Sequence, residues 1–333
     1  MKNSTMQLYL APLQGYTEFI FRNAYFKHFS GFDKAIAPFI PSGLGNTIKH
    51  ARIKDLWIEN NQYFEVEPQI LGKSAPEIIP VAKYLYDYGY KTLNINMGCP
   101  IPAIRAKMRG AGILAYPEMV EMLLEKLFYE LKNSISLKIR IGNESENDIY
   151  ELLPLINQFP IKELIIHPRI GSQMYEGSVN LEIFSWCVAN AKAPIVYSGD
   201  IFDLATFQNL QNKFPEVTGW MLGRGVLFSP FLPEILKKNE TGWVTNEINR
   251  FWDFHQELLT QILTYRDRPK NQLNKLKEYW RYFSQAFHDS EKHFFSISRV
   301  DNFVEFESVI FAIQKDAVWK AGLTDTDEFT FIK

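Results

Sequence analysis

The chain of 333 residues is 46% hydrophobic and 22% charged, with a formal net charge of −2, the composition of an ordinary globular protein with a real core. It has no apolar run near the length of about twenty residues that a membrane span needs. The opening "MKNSTMQLYLAPLQG" is too weak for a secretory signal, and the near-neutral charge excludes a uniformly basic nucleic-acid binder. The two cysteines, Cys99 and Cys187, show no metal-type spacing and fit a reducing, cytoplasmic setting, with no metal expected.

Along the first two-thirds, short β-rich runs alternate with segments of helical period. Strands are predicted at Leu8–Leu13, Lys34–Ile40, Val66–Leu71, Thr92–Met97, Ile135–Ile141, Leu164–His167, Pro194–Tyr197 and Trp220–Leu222. Helices such as "APEIIPVAKYLYDYG" and "PEMVEMLLEKLFYELKN" lie between them. Eight such units predict an α/β fold, a (β/α)8 TIM barrel, with a doubly wound sheet as the alternative. After the polar linker "KKNETGW" the chain reads as helical throughout. "TNEINRFWDFHQELLTQILTYRDR" opens on a capping residue and carries Phe251, Trp252, Leu258, Leu259 and Ile262 at helical spacing, and "NQLNKLKEYWRYFSQAF" aligns Leu273, Leu276, Trp280, Phe283 and Phe287. The expected organisation is a barrel over 1–240 and a small all-helical domain over 241–333.

Polar residues on strands that should be dry carry the functional signal. In "ISLKIRIG" the isoleucines and Leu137 take one face, leaving Lys138 and Arg140 on the other. A lysine inside a barrel needs an answering anion, either an internal carboxylate or a bound ligand. Asn94 and Asn96 share a face of the fourth strand, Gln69 lies in the third, and His167 and Arg169 end the sixth. Ser198-Gly199-Asp200 and Gly223-Arg224-Gly225 follow the last two strands, where barrels commonly hold a phosphate. Cys99 stands between Gly98 and Pro100 at a strand exit, where α/β proteins keep their chemistry. Strand ends of this kind converge on one mouth.

Between Arg266 and Arg299, eight basic residues stand against four acidic ones. On charge alone this is a solvated helix face.

The stretches "LAPLQGYTE", "EPQILGKSAPE", "NINMGCP" with "GAGIL", "SLKIRIG", "HPRIGSQMYEG", "YSGDI" and "MLGRGVLFSP", in this order from about Leu10 to Pro230, resemble the flavin-dependent tRNA-dihydrouridine synthases. The resemblance implies FMN in the barrel mouth, with Pro12 and Leu13 bordering the flavin ring and Gln69 hydrogen-bonded to it. Lys138 would sit beside the part of the ring that becomes anionic on reduction, and His167 would touch the cofactor. Ser198, Gly199, Asp200, Gly223 and Arg224 would hold its phosphate. Cys99 would be the general acid, giving a proton to C5 of a uridine of the tRNA D-loop while hydride goes to C6. Asn96, Arg169 and Tyr175 would hold the base, extruded from its stack. NADPH would reduce the flavin, and the helical tail, through Lys275, Lys277 and Arg281, would meet tRNA. A monomer is expected. The chain departs from the family's pattern where His167-Pro168-Arg169-Ile170 replaces His-Gly-Arg-Thr, and where Ser198 and Leu13 replace asparagine and methionine.

Two other readings share some of these features. A barrel oxidoreductase acting on a free pyrimidine such as dihydroorotate would need no basic helical tail. A redox-inactive RNA-binding protein would be colourless and refuse flavin.

Overall fold

The computed structural model describes residues 6–42, 53–61, 63–241 and 247–320. Its centre is one parallel sheet of ten strand segments: β1 (Gln7–Leu10), β2 (Lys34–Ile36), β3 (Ile40–Pro41), β4 (Val66–Glu67), β5 (Gln69–Leu71), β6 (Thr92–Met97), β7 (Ser134–Gly142), β8 (Leu164–Ile170), β9 (Ile195–Ser198) and β10 (Gly219–Leu222). Two pairs of segments are single barrel strands interrupted once. β3 continues β2, and β5 continues β4 across Pro68, which has no amide hydrogen for a ladder. β4 pairs with β2 through Ala35↔Val66, while β5 pairs with β6 through Gln69↔Asn94. β10 lies beside β1, and Gln7 N donates to Thr218 O at 2.8 Å. The pairings therefore close into a ring of eight strands, and a doubly wound sheet, which keeps two edges, is excluded. All eight expected strands are present, with ends shifted by a few residues.

Alternation along the strands fills the ring. Tyr9, Ala11, Ile36, Ile165, Val196 and Met221 come from β1, β2, β8, β9 and β10 or their exits, and form one buried apolar cluster. Residues of β5, β6 and β7 make the other side polar: Gln69, Asn94 and Ser136 are fully buried. Toward the N-terminal ends, Lys34 lies between Glu67, at 3.2 Å, and Glu163, which also accepts from Tyr9 Oη at 3.0 Å. The opposite strand faces are dry: Ile135, Leu137, Ile139 and Ile141 are at most 1% exposed. They match helices such as α2 (Ala75–Tyr88) and α4 (Pro117–Glu130), the latter burying Val120, Leu123, Leu124 and Leu127. Between these two helices lies the short α3 (Pro102–Arg105). α5 (Asp148–Ile156) and α6 (Leu181–Asn190) follow.

The chain divides into two compact units. The first holds the described residues through Glu18, Asp33–Gly199 and Lys213–Met221; the second holds Phe19–Phe32, Asp200–Asn212 and the described residues from Leu222 onward. The second unit contains α1 (Phe19–His28), α8 (Arg224–Phe228), α9 (Leu232–Lys238), α10 (Glu247–Tyr265), α11 (Pro269–Phe283), α12 (Ser290–Ser298) and α13 (Phe303–Asp316), with α7 (Leu204–Lys213) at its border. Its core is aromatic. Phe21 of α1 meets Phe254 of α10 edge-on and stacks on Tyr279 of α11, each at 5.8 Å between ring centres. Phe251, Leu258, Ile262, Leu273, Leu276, Trp280 and Phe283 are buried, as their helical spacing predicts. The cap expected at Thr245 and the expected start of this helical stretch at Gly242 lie outside the described residues. Among the described residues, no helix is long and apolar enough to cross a membrane, and no cluster of three His, Cys, Asp or Glu side chains could hold a metal ion.

Candidate active site

The exit of β6 is shaped by its own asparagine. Asn96 Oδ1 accepts from the backbone N of Gly98 at 3.1 Å and of Cys99 at 2.9 Å, turning the chain as it leaves the barrel. Cys99, 8% exposed, carries a free thiol. Its carbonyl accepts from Ala111 N at 3.0 Å, which folds the "GAG" segment back over it. The intervening loop is tied down by Arg105, which donates to Pro100 O and Asn143 Oδ1 and pairs with Glu144. Arg140, 1% exposed, donates to Gly98 O at 3.1 Å, Ile170 O at 2.7 Å and Met174 O. One guanidinium thus joins the exits of β6 and β8 across its own strand, β7.

Three of the residues singled out from the sequence lie side by side on β5, β6 and β7. Asn96 Nδ2 donates to Gln69 Oε1 at 2.8 Å, and Lys138 is the register partner of Asn96. Burial, and then the nearby charge of Arg140, lowers the Lys138 pKa to about 7, against a smaller opposite effect of Cys99. Among the described residues, no carboxylate and no hydrogen-bond acceptor meets its ammonium. The internal ion pair that composition allowed is absent there; the barrel's carboxylates, Glu67 and Glu163, hold Lys34 instead. Burial pushes the Cys99 thiol up, opposed by a hydrogen bond from Ile101 N and by the charges of Arg140 and Lys138. At neutral pH the thiol keeps its proton, with the Arg140 guanidinium and the Lys138 amine as its nearest basic groups.

His167 and Arg169 share one face of β8, 7% and 2% exposed. Arg169 donates to Gly177 O from Nε at 3.2 Å and from Nη2 at 2.6 Å, and its Nη1 lies 3.3 Å from His167 Nε2. A guanidinium only donates, so Nε2 accepts and the ring proton stands on Nδ1. The Tyr175 ring lies 6.2 Å from His167 and 5.4 Å from the Arg140 guanidinium, with 39% of the residue exposed. Pro12 and Leu13 follow β1 in a turn in which Leu13 N meets Thr17 Oγ1 at 2.8 Å. Ser198 ends β9, and a Cβ on Gly199 would come within 2.3 Å of Tyr197 Oη, so a larger residue there requires the Tyr197 ring to move.

In the second unit, Arg224 opens α8 after Gly223, and its Nη2 lies 2.6 Å from Asp200 Oδ1. A carboxylate repels a phosphate, so the Asp200 side chain can serve one only by aiming Arg224. On α11, Lys275 is buried and paired with Glu278 at 2.6 Å, beneath the reach of RNA. Lys277 is half-buried and donates to Ser298 O at 3.1 Å, and Arg281 is exposed. The sequence reading left Arg140, Ser136 and Glu67 without roles. The period-two alternation that exposed Lys138 places Ser136 and Arg140 on the same face, and was the signal available.

The closed parallel barrel, with polar side chains of β5, β6, β7 and β8 facing its interior, defines a class, the TIM-barrel proteins. The chain belongs to the dihydrouridine synthase (Dus) family, whose model matches residues 9–314; as such it is a flavin-dependent enzyme. It is 27% identical over 235 residues to tRNA-dihydrouridine synthase B of Pasteurella multocida, covering 69% of each chain. It is 22% identical over 324 residues to tRNA-dihydrouridine(16) synthase of Neisseria meningitidis serogroup B, covering 93% of this chain and 95% of the other. Among solved structures, the old yellow enzyme of Trypanosoma cruzi superposes with a TM-score of 0.52 at 11% identity, over 78% of this chain and 94% of that one. That likeness is one of fold.

Proposed function

We propose that this protein is an FMN-dependent tRNA-dihydrouridine synthase that reduces the C5=C6 bond of a uridine in the tRNA D-loop, with NADPH as the reductant. The observation that carries the reading is Lys138, half-buried on β7 in register with Asn96 and with no carboxylate beside it among the described residues, together with the buried thiol of Cys99. An anionic ring or phosphate is what such an ammonium fits. When bound and reduced, the flavin supplies the hydride.

The chain's own residues do the rest. Gln69 and His167 are assigned to the cofactor, Pro12 and Leu13 border it, and Lys138 answers its negative charge. Ser198, Gly199, Gly223 and Arg224 are assigned to the phosphate, Arg224 being aimed by Asp200. Asn96, Arg169 and Tyr175 are assigned to the base. As hydride reaches C6, charge develops at C5, and the Cys99 S–H bond breaks as the C5–H bond forms. The thiolate left behind keeps the Ile101 amide and the charges of Arg140 and Lys138 around it. The helices over 241–333 form the tRNA-binding domain in this reading. With Lys275 buried, Lys277 and Arg281 are the residues of the three able to meet phosphates. A cytoplasmic monomer completes it.

The test is to map dihydrouridine in tRNA from a deletion strain and to restore it with the purified protein, FMN and NADPH. A colourless protein that takes up no FMN would overturn the reading, as would activity on free dihydroorotate with none on tRNA.

A further inference from the structure

A line of hydrogen bonds runs from Cys99 through the polar side of the barrel to the ion cluster around Lys34. Cys99 N donates to Asn96 Oδ1 at 2.9 Å, and Asn96 Nδ2 to Gln69 Oε1 at 2.8 Å. Gln69 Nε2 donates to Asn94 Oδ1 at 2.7 Å, and Asn94 Nδ2 to Ser136 Oγ at 2.7 Å. Ser136 Oγ then donates to Glu67 Oε1. None of the five side chains is more than 6% exposed.

The direction of this line follows from its two ends. Backbone N–H groups only donate, so the atom of Asn96 that meets Gly98 and Cys99 is its carbonyl oxygen. The Asn96 amide nitrogen therefore faces Gln69 and requires an oxygen there, and the same requirement passes to Asn94 and Ser136. At the far end Glu67, beside Lys34 at 3.2 Å, is a carboxylate that only accepts. Three amides and a hydroxyl are thus held in one orientation, each dipole aligned with the next.

We propose that Glu67, Ser136 and Asn94 are positioning residues: they form a polarised relay that holds the Gln69 and Asn96 amides in one orientation and, through Asn96, fixes the backbone that presents Cys99. The proposal deepens the flavin reading and rests on it for Gln69 alone. The hold on Cys99 stands on the hydrogen bonds themselves.

Two substitutions break the relay differently. Ser136→Ala removes the junction and leaves Asn94 Nδ2 without its acceptor. Glu67→Gln forces a conflict: its amide nitrogen must face either Ser136, which then accepts twice, or Lys34, which is itself a donor. Ser136→Thr keeps the hydroxyl, and Glu163→Gln disturbs the Lys34 cluster without touching the relay. The full-length variants are first compared by thermal melting. They are then titrated with flavin mononucleotide, and Cys99 is alkylated with iodoacetamide in the flavin-free protein, with buried Cys187 as internal reference. Ser136→Ala and Glu67→Gln should each weaken flavin binding about tenfold and speed Cys99 alkylation about tenfold. Ser136→Thr and Glu163→Gln should leave both near wild type. If the first two variants bind flavin and alkylate as wild type does, the relay is wrong. If wild type itself binds no flavin, the flavin reading fails and the alkylation rates alone decide: accelerated rates uphold the hold on Cys99, and unchanged rates overturn it.

Discussion

Gly110 lies against Cys99 so closely that a Cβ on Gly110 would stand 2.7 Å from the Cys99 carbonyl oxygen and 2.8 Å from its Cβ. Gly110 also has φ +57°, a left-handed backbone. The glycine of the "GAG" segment is thus a packing partner of the thiol residue. Gly110→Ala should displace Cys99 and cost about 1 to 3 kcal/mol in stability, with a larger proportional loss of dihydrouridine formation. Thermal melting and a tRNA reduction assay on the same preparation check it; a variant as active as wild type would show that the close approach is not needed.

Cys99→Ala should leave the protein able to bind FMN while nearly abolishing dihydrouridine formation, because the variant keeps the pocket and loses the proton donor. Burial raises the thiol pKa, so the rate should fall only as pH rises through that raised value, where the thiol loses its proton. Full activity of the variant removes the acid role.

Lys138 sets a second pH dependence, in binding. With its pKa lowered to about 7, the side chain of the flavin-free protein is charged below that pH and neutral above it. An anionic ligand favours the charged form, so flavin mononucleotide should bind more weakly as pH rises above about 7, and binding there should take up a proton. Calorimetry in buffers of different ionisation enthalpy reads the proton directly. Lys138→Met should bind more weakly and lose the pH dependence.

His255 makes the helical unit acid-sensitive. It is buried, accepts from Trp280 Nε1 at 3.0 Å through Nε2, and has its pKa lowered by burial to about 4. Below the ordinary histidine pKa of about 6.5 the unfolded chain binds a proton that the folded one refuses, so the His255 contribution to stability is constant above that pH and falls as pH drops toward 4, by up to about 3 kcal/mol. Trp280 fluorescence in urea titrations at pH 7.5 and 4.5 measures the fall, which should shrink in His255→Gln.

On α11, Arg281→Glu and Lys277→Glu should weaken tRNA binding and flatten its salt dependence by about one unit of slope for each phosphate that the side chain no longer neutralises. Lys275→Glu should act by another route: it buries a negative charge next to Glu278 and should lower the melting temperature before any effect on RNA is read. Filter binding at two salt concentrations, beside melting curves, separates the two outcomes.

Periodicity and order along the chain sufficed for the eight strands, the helical tail and the suspicion that falls on Lys138 and Cys99. Both kinds of signal are local: alternation says that Lys138 turns away from the isoleucines, and a glycine-cysteine-proline break says that a strand has ended. Whether Lys138 met a carboxylate was not local, because Glu67 and Glu163 come from other strands, and folding gave both to Lys34. Exposure along α11 was equally hidden, since Lys275 and Arg281 read alike in sequence and only packing buries the first. The hydrogen-bonded line from Cys99 to Glu67 depended wholly on tertiary structure, for its direction is set by which donors and acceptors meet across β5, β6 and β7, and register in a closed sheet is a property of the whole ring.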